Sequence, residues 1–193
     1  MKTHASVATM VCILSLTVAS PLCAAQASYS ITDLGTLGSS GFSVARAVNA
    51  TAEVTGAASA NNSNLSDVFL YSDGVMTSLG TLGGNSGIGN GINSSGQVAG
   101  YSTNSVGTYR AFLSDGPTLV DIGDLGGGSA VAYALNDAGQ AVGSSVTSDG
   151  SNHPFLYSDG KMIDLGTLGS EGSAFWNSAQ GINNSGVVTG TSY

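Results

Sequence analysis

The chain is written in units of about 43 residues, and this constrains its fold more than any single motif does. Phe69, Phe112 and Phe155 are 43 residues apart. Three columns recur around them in one order. The first is ARAVNATAEVTG (45–56), GNGINSSGQVAG (89–100), AYALNDAGQAVG (132–143) and AQGINNSGVVTG (179–190). The second is VFLYSDG (68–74), AFLSDG (111–116) and PFLYSDG (154–160). The third is DLGTLG (33–38), SLGTLG (78–83), DIGDLG (121–126) and DLGTLG (164–169).

Within each unit the pattern follows strand logic. Small residues at i and i+2, as in Ala45/Ala47, Gly89/Gly91, Ala132/Ala134 and Ala179/Gly181, are expected on one face of a crowded inner strand. Asn49 to Ala52, Asn93 to Gly96, Asn136 to Gly139 and Asn183 to Gly186 predict tight turns into a second strand. A third strand centres on Phe-Leu. The following Ser-Asp-Gly predicts a type I′ hairpin at 72–74, 114–116 and 158–160. A fourth strand runs through Met76, Leu119 or Met162 into the LGTLG-type motif, whose Gly35, Gly80, Gly123 and Gly166 let the chain bend toward the next unit.

The expected fold is therefore all-β, built from four-stranded antiparallel meanders that no unit could bury alone. Four strands in about 43 residues is propeller arithmetic. A β-solenoid with two coils per unit is the alternative. The sequence begins with one fourth strand and stops after two strands of a further unit. It predicts an open arc or truncated propeller of about three full units, with partial units at both ends that are open to self-association.

The first residues set Lys2 before an apolar run from about Ala5 to Ala19, then Pro21 and the small-residue stretch Ala24-Ala25-Gln26-Ala27. That is the layout of a secretory signal peptide over 1–27, cleaved near Ala27, with the β-repeat domain over 28–193. The run is too short for a membrane span, so a secreted, extracellular or periplasmic protein is expected. Cys12 and Cys23 both fall in the leader, which leaves the mature chain without disulfides or thiolate chemistry. A net charge of −8 with four Lys and Arg argues against nucleic acid, whose phosphates need cations to displace counterions.

With the columns aligned, the sequence resembles the HAF-repeat family of bacterial extracellular proteins. GINSSGQVAGY, RAFLSDG, HPFLYSDGKMIDLGTLG and GINNSGVVTG carry the likeness across nearly all of 28–193. The namesake triplet departs from the family at Asp67-Val68-Phe69, Arg110-Ala111-Phe112 and His153-Pro154-Phe155. The resemblance implies export and a β-repeat architecture, and it implies no catalytic residues.

Signs of catalysis are few. After the leader His153 is the single histidine and Glu53 and Glu171 are the only glutamates. No nucleophile elbow or phosphate loop occurs, and the recurring Asp73, Asp115 and Asp159 read first as turn residues. No cofactor, metal or catalytic site is expected. Between otherwise similar units, the irregular stretches 57–67, 101–110, 144–153 and 170–178 vary, and such loops are where function concentrates. Tyr101, Tyr109, His153 and Trp176 are the candidate binding residues there, suited to an extracellular glycan or protein. The expected function is a non-enzymatic binding or structural module. The alternatives are a secreted propeller-type polysaccharide hydrolase or lyase, whose paired carboxylates would come from distant units, and an inactive fragment of a longer surface protein.

Overall fold

A computed structural model describes residues 11–13, 29–39, 41–59, 65–169 and 177–192. The described residues contain sixteen β-strands and no helix. Three four-stranded antiparallel sheets follow one another along the chain, each a simple meander. The first comprises β3 (Ser43–Val48), β4 (Val54–Ala58), β5 (Asp67–Ser72) and β6 (Val75–Gly80). The second comprises β7 (Gly83–Ile92), β8 (Val98–Asn104), β9 (Tyr109–Asp115) and β10 (Thr118–Asp121). The third comprises β11 (Gly126–Leu135), β12 (Ala141–Thr147), β13 (Asn152–Ser158) and β14 (Lys161–Asp164).

Two shorter pairs flank them. β15 (Ser178–Ile182) pairs with β16 (Val188–Thr191), and β1 (Val11–Ile13) pairs with β2 (Ser30–Thr32). β2 therefore takes its partner from within the expected leader.

The inner strands share one bulge position, and β7 and β11 carry a second irregularity nearer their starts, between Gly83 and Gly87 and between Gly126 and Ala130. Between Ala45 and Ala47, Gly89 and Gly91, Ala132 and Ala134, and Ala179 and Gly181 the pairing slips by one residue. The extra residues are Arg46, Asn90, Tyr133 and Gln180. This corrects the expectation that the small residues share a face, because an inserted residue reverses the period-two alternation. A side chain at Gly89 would strike Thr55 of the preceding unit, and one at Gly91 would meet Leu135 of the following unit. The inner strand is crowded, but from both sides.

The bulge also explains the glycine that ends each second-strand column. A Cβ on Gly56, Gly100, Gly143 or Gly190 would lie 1.9–2.1 Å from the carbonyl oxygen of Val44, Ile88, Val131 or Ser178. The bent inner strand presses onto its neighbour there, and only a hydrogen fits. In the three full units this glycine faces Phe69, Phe112 or Phe155 across the next pairing.

The core consists of seams between units. Phe69 is clustered with Leu34, Phe112 with Leu79, and Phe155 with Ile122, so each phenylalanine shares a buried cluster with the motif leucine or isoleucine of the preceding unit. All three phenylalanines are fully buried. The motif is thus the exit from the fourth strand more than the strand itself, since β10 and β14 end at its first residue. That first residue caps the bend: Asp33, Asp121 and Asp164 accept the amide of the glycine two residues on at 2.8–2.9 Å, and Ser78 does so at 3.0 Å. The glycines Gly35, Gly80, Gly123 and Gly166 all have φ between 69° and 87°, as a joint at that position requires.

Two of the three hairpins are type I′ in their φ angles, with Asp73-Gly74 and Asp159-Gly160 both positive. The second differs from the expectation. Thr118 pairs with Asp115, so the turn is Gly116-Pro117 instead of one on Asp115-Gly116. Proline cannot adopt positive φ, and a glycine in the first central position supplies the alternative II′ geometry.

The first-column turns are as expected, and they also join the units. Asn93 Oδ1 accepts the amides of Ser95 (3.1 Å) and Gln97 (2.9 Å), while its Nδ2 donates to the carbonyl of Asn136 in the next unit (3.2 Å). Asn49 donates likewise to the Asn93 carbonyl (3.0 Å) and Asn136 to that of Asn183 (3.1 Å). Each asparagine closes its own turn and holds the next one. Asp137 reinforces the rim by accepting from Ser94 on one side (2.6 Å) and Asn184 on the other (2.6 Å).

Candidate functional site

The antiparallel meander places the Asn/Gly turns and the 5–6, 9–10 and 13–14 hairpins at one rim and the irregular connections at the other. Near the irregular rim, between the second and third sheets, lies a cleft of about 510 Å³. Its walls come from five elements: Tyr101 on β8, Tyr109 on β9, Ser129 to Val131 and Tyr133 on β11, Ser144 and Val146 on β12, and Asn152 on β13.

Strand register dictates the pairing of the first two tyrosines. Tyr101 lies opposite Ala111 and Thr103 opposite Tyr109, so the rings are diagonal neighbours on one face. They meet edge to face, with centroids 5.4 Å apart and planes at 86°. This is a favourable aromatic geometry, and it leaves Tyr109 half exposed at 50%. Tyr133 reaches the cleft from the bulge of β11, where the extra residue re-aims its side chain.

Burial raises the Tyr101 pKa, the neighbouring Tyr109 raises it further, and the positive charge of Arg46 offsets part of the rise. Burial, then Tyr101, raises that of Tyr133. Both phenols therefore stay protonated at neutral pH, as hydrogen-bond donors and acceptors instead of bases or nucleophiles. Ser129, Ser144 and Asn152 add short polar groups, and Ala130, Val131 and Val146 supply apolar surface. The lining offers hydroxyls, an amide and ring faces without charge. It suits recognition of a neutral polar ligand.

Of the residues named from sequence, the structure brings Tyr101 and Tyr109 together. His153 is elsewhere: its Nδ1 is 2.8 Å from Asp164 Oδ2, which ties the start of β13 to the motif. The same joint is made by Asp67 with Ser78 (2.6 Å) and by Arg110 with Asp121 (2.8 Å), so the position two residues before Phe69, Phe112 and Phe155 has a structural role in every full unit. Trp176 lies outside the described residues. Tyr133 was missed, although a signal for it existed. It occupies the one position between the small residues that changes in every unit.

A second cleft, of about 540 Å³, opens at the turn rim where Ser114 replaces the tyrosine that the other two units carry as Tyr71 and Tyr157. The hydroxyl of Ser114 accepts the Val98 amide at 2.8 Å and so is committed to the sheet. Among the described residues no group of three or more His, Cys, Asp or Glu side chains is placed to hold a metal ion, and no helix is long and apolar enough to cross a membrane. Comparisons with protein-family models, curated proteins and solved structures find no match.

Proposed function

We propose that this chain is an exported, non-enzymatic extracellular repeat protein of the HAF-repeat kind, its sheets forming an open propeller-like arc, and that the tyrosine cleft binds a neutral glycan. The convergence of Tyr101, Tyr109 and Tyr133 on one apolar floor carries this reading. Sugar rings present C–H faces that stack on aromatic rings and hydroxyls that exchange hydrogen bonds with phenols, serines and amides. The volume falls within the range of small-molecule sites. The acidic composition and the scarcity of Lys and Arg favour an uncharged ligand over a polyanionic one.

The test is calorimetric titration of the full chain with neutral oligosaccharides of differing linkage. At least one should bind, and Tyr109→Ala, at a half-exposed position, should weaken it about tenfold or more, the loss expected for one aromatic anchor. A panel without binding, or binding indifferent to Tyr109→Ala and Tyr133→Ala, would refute the proposal. Export is checked separately: the secreted protein should begin near Ser28, which would remove β1 and leave β2 without its partner.

A further inference from the structure

We infer that Asn90 is a positioning residue for the tyrosine cleft: from the second unit it fixes the peptide plane from which Tyr133 of the third projects. The inference rests on the reading of that cleft as a binding site, although Asn90 is not among the residues that line it. Asn90 and Tyr133 are the bulge residues of β7 and β11, so they hold the same place in consecutive units. A bulge residue has no counterpart on the neighbouring strand, and the ladder does not set its direction. Tyr133 therefore needs another constraint to hold its ring in the cleft.

Asn90 supplies it. Its Nδ2 donates to the carbonyl oxygen of Ala132 at 2.8 Å. That oxygen belongs to the peptide group whose nitrogen is the Tyr133 nitrogen, and the group is planar. Holding the oxygen therefore fixes the plane that carries the Tyr133 Cα. The chain is also backed just beyond Tyr133: a Cβ on Gly91 would lie 3.4 Å from Ala134 Cα and 3.0 Å from Leu135 Cδ2, so β7 runs close against it there. The second unit thus grips the third on both sides of the tyrosine.

Both the grip and the cleft are particular to this seam. Among the described residues, Asn90 is the one member of the bulge column whose side chain bonds to the inner strand of the next unit; Gln180 bonds within its own strand, to Ser178 Oγ. One unit earlier, the places of Tyr101, Tyr109 and Tyr133 are taken by Ala57, Ser66 and Asn90. The three aromatic substitutions and the amide that braces one of them therefore meet between the same two sheets.

A purely structural role would be shared by any rung of this seam, and Asn93, which donates to the Asn136 carbonyl, is that control. The full chain, isotope-labelled at tyrosine Cζ, is titrated through alkaline pH by NMR, with Tyr133→Phe identifying the Tyr133 signal. Asn90→Ala should move the Tyr133 titration down toward that of an ordinary phenol, because a ring released from the cleft loses the burial that raises it. Asn90→Leu, which keeps the shape without the donor, should do the same, and Asn93→Asp should leave the titration in place. With a neutral oligosaccharide that the unsubstituted chain binds, Asn90→Ala should weaken binding about tenfold, as when the ring is in place in about one-tenth of the molecules. If no oligosaccharide binds, the glycan reading fails and the titration alone decides whether Asn90 positions Tyr133. A Tyr133 titration that neither Asn90 variant moves, one that Asn93→Asp moves equally, or oligosaccharide binding unchanged in Asn90→Ala would each overturn the inference.

Discussion

Asn93→Asp exchanges an amide for a carboxyl group of nearly the same shape, so it separates the two tasks of the asparagine. The acceptor Oδ1 is kept, and with it the bonds from the amides of Ser95 and Gln97 and from the Ser95 hydroxyl. The donor is lost, and with it the bonds to the Asn136 carbonyl (3.2 Å) and to Gln97 Oε1 (3.3 Å). Each is worth about 1 kcal/mol net. A buried carboxylate facing a carbonyl oxygen adds a desolvation cost. The sum is about 2–3 kcal/mol at neutral pH. For a chain of this size that lowers Tm by roughly 4–12 °C. Thermal unfolding followed by circular dichroism at pH 7.5, compared with the unsubstituted chain, reads the loss. Asn183→Asp is the control, because that residue gives only its carbonyl and Oδ1 to the turns, and it should cost less than about 0.5 kcal/mol. Equal losses at the two sites would refute the idea that side-chain amides join the units.

Gly100→Ala sets a methyl 2.0 Å from the Ile88 carbonyl and should cost about 3 kcal/mol or more. Gly166→Ala meets nothing within 4 Å and carries only its φ of 69°, so a loss of about 1–2 kcal/mol is expected; chemical denaturation distinguishes them. Ala52 has φ 64° where the other units have Gly96, Gly139 and Gly186, and Ala52→Gly should raise stability by roughly 0.5 kcal/mol after the unfolded-state entropy of glycine is counted. The native pKa values of Glu53, held down chiefly by Asn49, and of Asp137, held down by Ser94 and Asn184, lie below their ordinary values. Burial alone would raise that of Asp124, but the Gly128 amide, Arg110 and the Gly126 amide outweigh it and lower it. Such carboxylates stabilise the fold above their unfolded pKa values and lose that contribution as pH falls through the lowered native ones. Tm should therefore drop as pH falls below about 4, and Asp124→Asn should flatten the slope.

Much of this architecture was legible in the residues because a repeat states each rule several times. The strand count, the Asn/Gly turns and the bend at Gly35, Gly80, Gly123 and Gly166 all follow from local chemistry that neighbouring units cannot override. The bulge was not legible. Alternation of small residues reads as one face of a regular strand, and only the pairing shows that Arg46, Asn90, Tyr133 and Gln180 are insertions that reverse it. The shifted hairpin at Gly116-Pro117 was legible in hindsight, since Pro117 forbids the angles a Ser-Asp-Gly turn would ask of its neighbour. Tyr101 and Tyr109 were legible because they lie where the units differ in their connecting loops. Tyr133 was not, because it lies inside a strand whose small neighbours Ala132 and Ala134 read as regular alternation. His153 drew attention by being solitary, although Asp67 and Arg110 in the same column make the same joint.

The asparagine rungs have a consequence for how such a chain can change. They are 44, 43 and 47 residues apart in sequence, yet the hydrogen bonds span 3.0, 3.2 and 3.1 Å. One rim therefore serves as a ruler that fixes the pitch, while the opposite rim absorbs every difference in length. Spacings that differ by up to four residues leave the rungs at nearly the same length. New loop sequence can be tried, kept or discarded without asking the frame to move.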